Sequence, residues 1–234
     1  MIFYQLFEPE SSTYTYLIAD ATTREAALID PVLETIDRDL RLIEELGLKL
    51  KFILDTHVHA DHITGAGEIR NRTHAQTGLS HAAGVKCADL ELKNGQTLTL
   101  GDKVIRILET PGHTSSCLTY LFEGMAFTGD SLMIRSAGRT DFQQGSSDRL
   151  YESVHEKLFT LPDDTRVYPG HDYRGQTAST IGLEKKYNLR LGGTKTKEEF
   201  KKIMSELNLA NPKKIHQALP ANLSCGKVAP QVKP

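Results

Sequence analysis

Thr56-His57-Val58-His59-Ala60-Asp61-His62 places three histidines and an aspartate within six positions, directly after the apolar run Phe52-Ile53-Leu54. From the chain's own His and Asp usage, one such H-x-H-x-D-H arises by chance in on the order of one chain per thousand. Neutral imidazoles and carboxylates are standard N and O ligands of divalent metals. An apolar run that ends in a ligand-rich loop reads as a strand presenting a metal.

The residues upstream give that strand its setting. Thr13–Ile18 and Glu25–Asp30 are short β-prone runs separated by the turn-like Asp20-Ala21-Thr22-Thr23, and Asp30-Pro31 stops the second. A helix is expected from Thr35 as N-cap, with Ile36, Leu40, Ile43 and Leu46 as its apolar stripe and Gly47 as its stop. The strand Lys51–Asp55 then completes a strand–helix–strand unit, the pattern of a layered α/β fold. Downstream, a helix over Ile63–Arg72 is weakened by Gly65 and Gly67, which we read as allowing close backbone approach to the site. Asn94-Gly95 reads as a hairpin turn. Thr97–Leu100 and Val104–Leu108 alternate like antiparallel strands, and Leu118–Phe122 with Met125–Thr128 form a further hairpin. A helix from Ser147 carries Leu150, Val154 and Leu158 on one face, and Arg166–Tyr168 is a short strand. Thr196-Lys197-Glu198-Glu199 is a capping box opening a helix with Phe200, Ile203, Met204 and Leu207 on its stripe. We expect one domain over residues 1–225 and a flexible tail over 226–234.

Composition narrows the function classes. At 234 residues, 39% hydrophobic and 25% charged, with mean hydropathy −0.35, the chain has the make-up of a soluble globular protein. A net charge of −2 without a basic block gives no footprint for nucleic acid. No apolar stretch reaches membrane-spanning length, and the N-terminus lacks the basic region of a signal peptide. Cys87, Cys117 and Cys225 are odd in number and scattered, which argues against a disulfide framework and for a reducing compartment. Cys117 adjoins an apolar run and reads as a buried thiol.

Three further ligand-type residues follow short strands at glycine-containing turns: His113 after Pro111-Gly112, Asp130 after Gly129, and His171 after Pro169-Gly170. With His57, His59, Asp61 and His62 they make seven potential ligands on four strand ends. His74, His81, His155 and His216 lack this setting and read as surface or packing residues. Seven ligands suit either one metal or two, and residue types alone leave the count open.

The order T-H-x-H-x-D-H, P-G-H-T, F-T-G-D, P-G-H-D resembles the metallo-β-lactamase superfamily along the whole chain. Within it, Phe7-Glu8-Pro9, Leu28–Thr35, His59–Gly65, Gly138–Gln144, Val154–Pro162, His171–Tyr173 with Ser179-Thr180, and Pro220–Gly226 resemble the persulfide dioxygenases. Asn188-Leu189-Arg190-Leu191 departs from the N-P-R-L of that family, a difference expected to bear on a helix end and not on chemistry.

The resemblance implies a four-layer αββα sandwich and an enzyme, a non-haem iron dioxygenase of hydrogen sulfide metabolism. It would oxidise glutathione persulfide with O2 and water to sulfite and glutathione. It further implies one Fe(II) per chain on His57, His113 and Asp130, a two-histidine, one-carboxylate set with open positions. His59, Asp61, His62 and His171 would then orient these ligands through hydrogen bonds. Tyr173 is expected near the open positions, and Arg139, Tyr173 and Arg174 are candidates for the carboxylates of glutathione, with Asp141 a competing partner for Arg139. The alternative on the same ligands is a dinuclear glutathione thioester hydrolase of the glyoxalase II type. The resemblance also implies a homodimer, a sulfurtransferase of rhodanese type as a separate partner, and a location in bacterial cytoplasm or the mitochondrial matrix.

Overall fold

The computed structural model describes residues 1–227. Two six-stranded sheets face one another. The first holds β1 (Ile2–Glu8), β2 (Thr13–Ala19), β3 (Glu25–Ile29), β4 (Lys49–Leu54), β5 (Gln76–Ser80) and β6 (Leu90–Leu92), side by side in chain order. β1 to β3 pair antiparallel, and β3 to β6 pair parallel. The second holds β7 (Thr97–Leu100), β8 (Lys103–Glu109), β9 (Leu118–Phe122), β10 (Met125–Gly129), β11 (Arg166–Pro169) and β12 (Ser179–Thr180), also in chain order. All its pairs are antiparallel except β10 with β11.

β2 shows why the layers stack. Tyr16 and Ile18 point into the space between the sheets, where Phe52, Leu54, Ile105, Ile107, Tyr120, Phe122 and Phe127 meet them. Leu17 and Ala19, on the opposite face by the two-residue period of a strand, pack under α1 (Ile36–Glu45) and α2 (Ala66–Thr73) through Ile36, Ile43 and Ile69. The outer face of the second sheet is covered by α3 (Ser147–Ser153), α4 (Ile181–Tyr187) and α5 (Lys197–Ser205), with Leu150, Ile181, Phe200 and Met204 packed against Val167. The result is the expected αββα sandwich. A last helix, α6 (Ile215–Asn222), returns to the first sheet's side and lies beside Ile63.

The strand–helix–strand unit over β3, α1 and β4 forms as read, as do the hairpins β7–β8 and β9–β10 and the Thr196 capping box. Several local expectations change. A 3-10 turn at Leu33–Thr35 precedes α1, so the Thr35 hydroxyl donates to the Val32 carbonyl and caps nothing. Asn94-Gly95 joins the two sheets, since β6 pairs with β5 and β7 with β8. The helix after the ligand loop starts at Ala66, and Gly67 faces the C-terminal segment, where a Cβ would lie 2.1 Å from the Cys225 carbonyl oxygen. The helix at Ser147 widens into a π turn over Val154–Leu158, which keeps Leu150, Val154 and Leu158 buried together.

The cysteine reading is overturned in part. Cys87 and Cys225 form a disulfide, with Cα atoms 6.1 Å apart. Wide spacing in sequence hid a close approach in space. Cys117 is free and buried, and its thiol pKa is pushed up to about 11 by burial. Within the stretch expected as a tail, the Gly226 amide donates to the Ala221 carbonyl; residues 228–234 lie outside the described residues. Among the described residues, no helix is long and apolar enough to cross a membrane.

The sheets are tied where the ligand turns begin. The Tyr120 hydroxyl donates to the Asp55 carbonyl at 2.7 Å, and the Leu118 amide to the Thr56 carbonyl at 2.8 Å. Tyr120→Phe should therefore lower stability by about 1–2 kcal/mol, read as a lower denaturant midpoint at unchanged slope.

Candidate metal centre

β8, β10 and β11 run in the same direction, so the turns at their ends lie on one edge of the second sheet. That edge meets the loop leaving β4. His57 leaves β4, His113 follows β8, Asp130 follows β10 and His171 follows β11. Gly112 precedes His113 with φ +146°, and a Cβ there would lie 2.3 Å from the backbone of Leu150 in α3. Only glycine admits this approach, which fixes the turn that aims His113.

The ligand atoms of His57, His113 and Asp130 lie within 4.8 Å of one another, all three residues buried. His113 Nε2 is 3.7 Å from Asp130 Oδ2. Second atoms on each ring decide which nitrogen carries the lone pair. His113 Nδ1 donates to the Arg139 carbonyl at 2.7 Å, which leaves Nε2 unprotonated toward Asp130. The Thr56 hydroxyl spends its proton on Asp30 Oδ2 (2.9 Å), so it accepts from His57 Nδ1 (3.0 Å) and leaves His57 Nε2 unprotonated as well. Burial, then the neighbouring His59 and His113, hold the His57 pKa well below its usual value. Two neutral imidazole nitrogens and a carboxylate oxygen, each oriented from behind, are the donor chemistry a divalent metal needs.

The remaining candidates bind one another. His171 Nδ1 donates to Asp130 Oδ1 at 2.7 Å, and its Nε2 lies 2.9 Å from Asp61 Oδ2 and 3.1 Å from Thr13 Oγ1. Burial alone would lower the His171 pKa, but Asp130 and Asp61 together hold it well above the usual value. Burial likewise opposes ionisation of Asp130, but the interaction with His171 outweighs it and holds the carboxyl pKa far below its usual range. His62 Nδ1 contacts Asp61 Oδ2 at 2.9 Å, and His59 Nε2 contacts Asp30 Oδ1 at 3.0 Å. His59 Nδ1 and His62 Nε2 are buried without a hydrogen-bond partner among the described residues, and with Asp61 they form a second group of ligand type.

Asp61, His113, Asp130 and His171 open onto a cleft of about 290 Å³ that Tyr173, Arg139, Arg174 and Arg190 also line. Tyr173 is 71% exposed, its ring stacked on His171 at 6.1 Å between centroids. Arg139 is spoken for: it pairs bidentately with Asp141 (2.6 Å twice), donates to the Ala210 carbonyl and lies over the Phe142 ring. Arg190 is the cation that sequence reading passed over. It donates to the Ala137 carbonyl at 2.6 Å, and its pKa is lowered by burial and by the facing Arg174. The departure from N-P-R-L is Leu189 itself, which is exposed beside Asn188 at the end of α4 and does not line the cleft. Asp30, Thr56 and Asn222 were also missed as site residues. Asn222 Nδ2 donates to the His59 and His62 carbonyls, and Gln143 Nε2 to the Val58 carbonyl.

Residues 9–171 match the metallo-beta-lactamase superfamily. The chain belongs to that superfamily. Within this metallo-β-lactamase group it is 51% identical over 229 residues to human "Persulfide dioxygenase ETHE1, mitochondrial", covering 97% of this chain and 89% of the relative. The crystal structure of ETHE1 from Myxococcus xanthus superposes with a TM-score of 0.94 at 53% identity, covering 97% of this chain and all of that one. A superfamily member solved in a di-iron-bound form is more distant, with a TM-score of 0.65 at 25% identity, over 79% of this chain and 98% of that one. The chain therefore sits with the persulfide dioxygenases, and its His/Asp cluster is a metal-binding site in a metallo-β-lactamase fold.

Thr56→Val removes the acceptor that fixes the His57 tautomer. It should weaken divalent-metal affinity by about tenfold or more, measured by chelator competition, whereas Thr56→Ser should stay near wild type.

Proposed function

We propose that this chain oxidises glutathione persulfide with O2 and water to sulfite and glutathione, at a single Fe(II) held by His57, His113 and Asp130. The observation that carries the reading is the division of labour among the seven ligand-type residues. Three present free lone pairs to one point, while both His171 nitrogens are hydrogen-bonded to carboxylates and offer none. The 51% identity to a persulfide dioxygenase over 97% of the chain supports the substrate class.

Bound Fe(II) would supply the electron donation that activates O2 and a Lewis-acid position for a sulfur ligand. In the balanced reaction the outer sulfur gains two oxygen atoms from O2 and one from water, the S–S bond breaks, and glutathione leaves as the thiol. The chain's own residues bind and orient. Glutathione brings two carboxylates, and Arg174 and Arg190 are facing cations in the cleft with no carboxylate partner of their own among the described residues. Two guanidinium groups this close repel unless an anion lies between them, and the fork geometry of arginine suits a carboxylate. Tyr173 closes the cleft above His171 with a phenol that can donate to the substrate. His171, held at both ring nitrogens by Asp130 and Asp61, keeps Asp130 in one orientation through its 2.7 Å hydrogen bond.

The unpartnered His59 Nδ1 and His62 Nε2 leave donor atoms for a second metal, but a dinuclear glutathione thioester hydrolase is not favoured beside 51% identity to a persulfide dioxygenase over 97% of the chain. Residues 1–225 act as one domain in either case, a homodimer is the expected assembly, and a rhodanese-type sulfurtransferase is the expected separate source of the persulfide. The compartment is bacterial cytoplasm or, for a processed eukaryotic chain, the mitochondrial matrix.

Elemental analysis of the purified protein alongside oxygen consumption separates the readings. One iron per chain with O2 uptake on glutathione persulfide is expected; two metals per chain, no O2 uptake and thioester cleavage would replace it. Arg190→Met should raise KM for glutathione persulfide by about tenfold or more in steady-state oxygen-electrode assays, with a smaller change in kcat.

A further inference from the structure

The C-terminal helix ends on the ligand loop. Asn222, the last residue of α6, is buried, and besides holding the His59 and His62 carbonyls its Oδ1 accepts from the Thr64 amide at 2.9 Å. Three residues on, Cys225 is bonded to Cys87, which stands on the segment between β5 and β6, 138 positions away in sequence. Cys225 has φ +57°, a left-handed conformation that a residue with a side chain keeps only when its surroundings impose it. The two residues differ in exposure: Cys225 is 8% exposed, whereas Cys87 is half-buried. Cys225 also packs with Val58, which lies between two histidines of the ligand loop, and with Leu79 and Val85.

We propose that Cys87–Cys225 is a thiol-exchange site that sets how firmly α6 clasps the ligand loop. A small thiolate attacks the sulfur of Cys87, the more exposed residue, the S–S bond breaks, and Cys225 leaves as a thiolate that takes up a proton. A second thiol then attacks the mixed disulfide at Cys87, releasing the small disulfide and the Cys87 thiol. Two thiols are oxidised by two electrons in all, and the protein disulfide is reduced to two thiols. Glutathione is a thiol of this class. Only that choice of thiol rests on the function proposed above, where glutathione is a product.

With the bond open, Cys225 is no longer held from Cys87, and the left-handed residue next to α6 is free to relax. Asn222 then holds the loop by its three hydrogen bonds alone. The Thr64 amide, hydrogen-bonded to Asn222, is the natural reporter.

The test compares the full-length protein, oxidised and after treatment with glutathione, by intact mass and by backbone amide hydrogen exchange. Reduction should add two hydrogens by way of a transient glutathione adduct at Cys87. It should speed exchange at Thr64 and along residues 56–66 by about tenfold, while β9 serves as an unchanged reference. Cys87→Ser should show the fast rate without reductant; should that variant not fold, the reduced wild-type chain carries the comparison. Thr64 exchange that ignores reduction would overturn the proposal, as would a uniform rise that includes β9, or free thiols at both positions in protein purified without reductant. None of these readouts needs bound metal, so their failure is distinct from a lack of iron or of O2 uptake.

Discussion

The Asp30 carboxylate is what the ligand loop is built around. It is buried at the end of β3, with φ +51°, and its two oxygens accept from the Thr56 amide, the Thr56 hydroxyl and His59 Nε2. One carboxylate thereby fixes the start of the loop, the ring of His59 and, through the Thr56 hydroxyl, the lone pair of His57. A carboxyl group stays buried at such a place only with its hydrogen bonds satisfied. β3 and β4 are parallel neighbours, so their ends coincide and Asp30 reaches the loop without a detour.

The opposing side is set by the second sheet in the same way. The turns after β8, β10 and β11 deliver His113, Asp130 and His171, and Tyr16 from the first sheet donates to the Pro169 carbonyl just before the last of them. Gly138–Gln144 then wraps the rim: the Arg139 carbonyl orients His113, Arg139 and Asp141 brace each other, and Gln143 holds the Val58 carbonyl. That segment serves geometry as much as binding.

Much of this was legible in the sequence because ligand chemistry concentrates in few residue types at strand ends. The H-x-H-x-D-H run and the Pro-Gly-His turns announce themselves by composition. What supports them does not. Asp30 and Pro31 read as a strand stop, Thr56 as the start of a motif, and Asn222 only as part of the Pro220–Gly226 stretch that carries the family resemblance, since a hydrogen bond between distant segments leaves no local pattern. Arg190 was hidden for the same reason, on a loop whose proximity to the cleft depends on how α4 packs. The Cys87–Cys225 pair defeats counting rules outright, because its spacing carries no signature and a third, buried cysteine makes the number odd. The layered α/β class followed from alternation and from the strand–helix–strand unit, the four-layer αββα arrangement from the family resemblance, and the sheet-to-sheet crossing at Asn94-Gly95 from neither.

His57 and His113 stand on different sheets, and Asp130 follows later still. Small metal modules gather their ligands from one short stretch, so the ion can organise the chain around itself. Here both sheets must be paired and pressed together before the three donor atoms approach, and contacts so distant in sequence form late. The ion therefore joins a finished scaffold. The folded scaffold, and not a short run of sequence, sets the spacing of the three donor atoms.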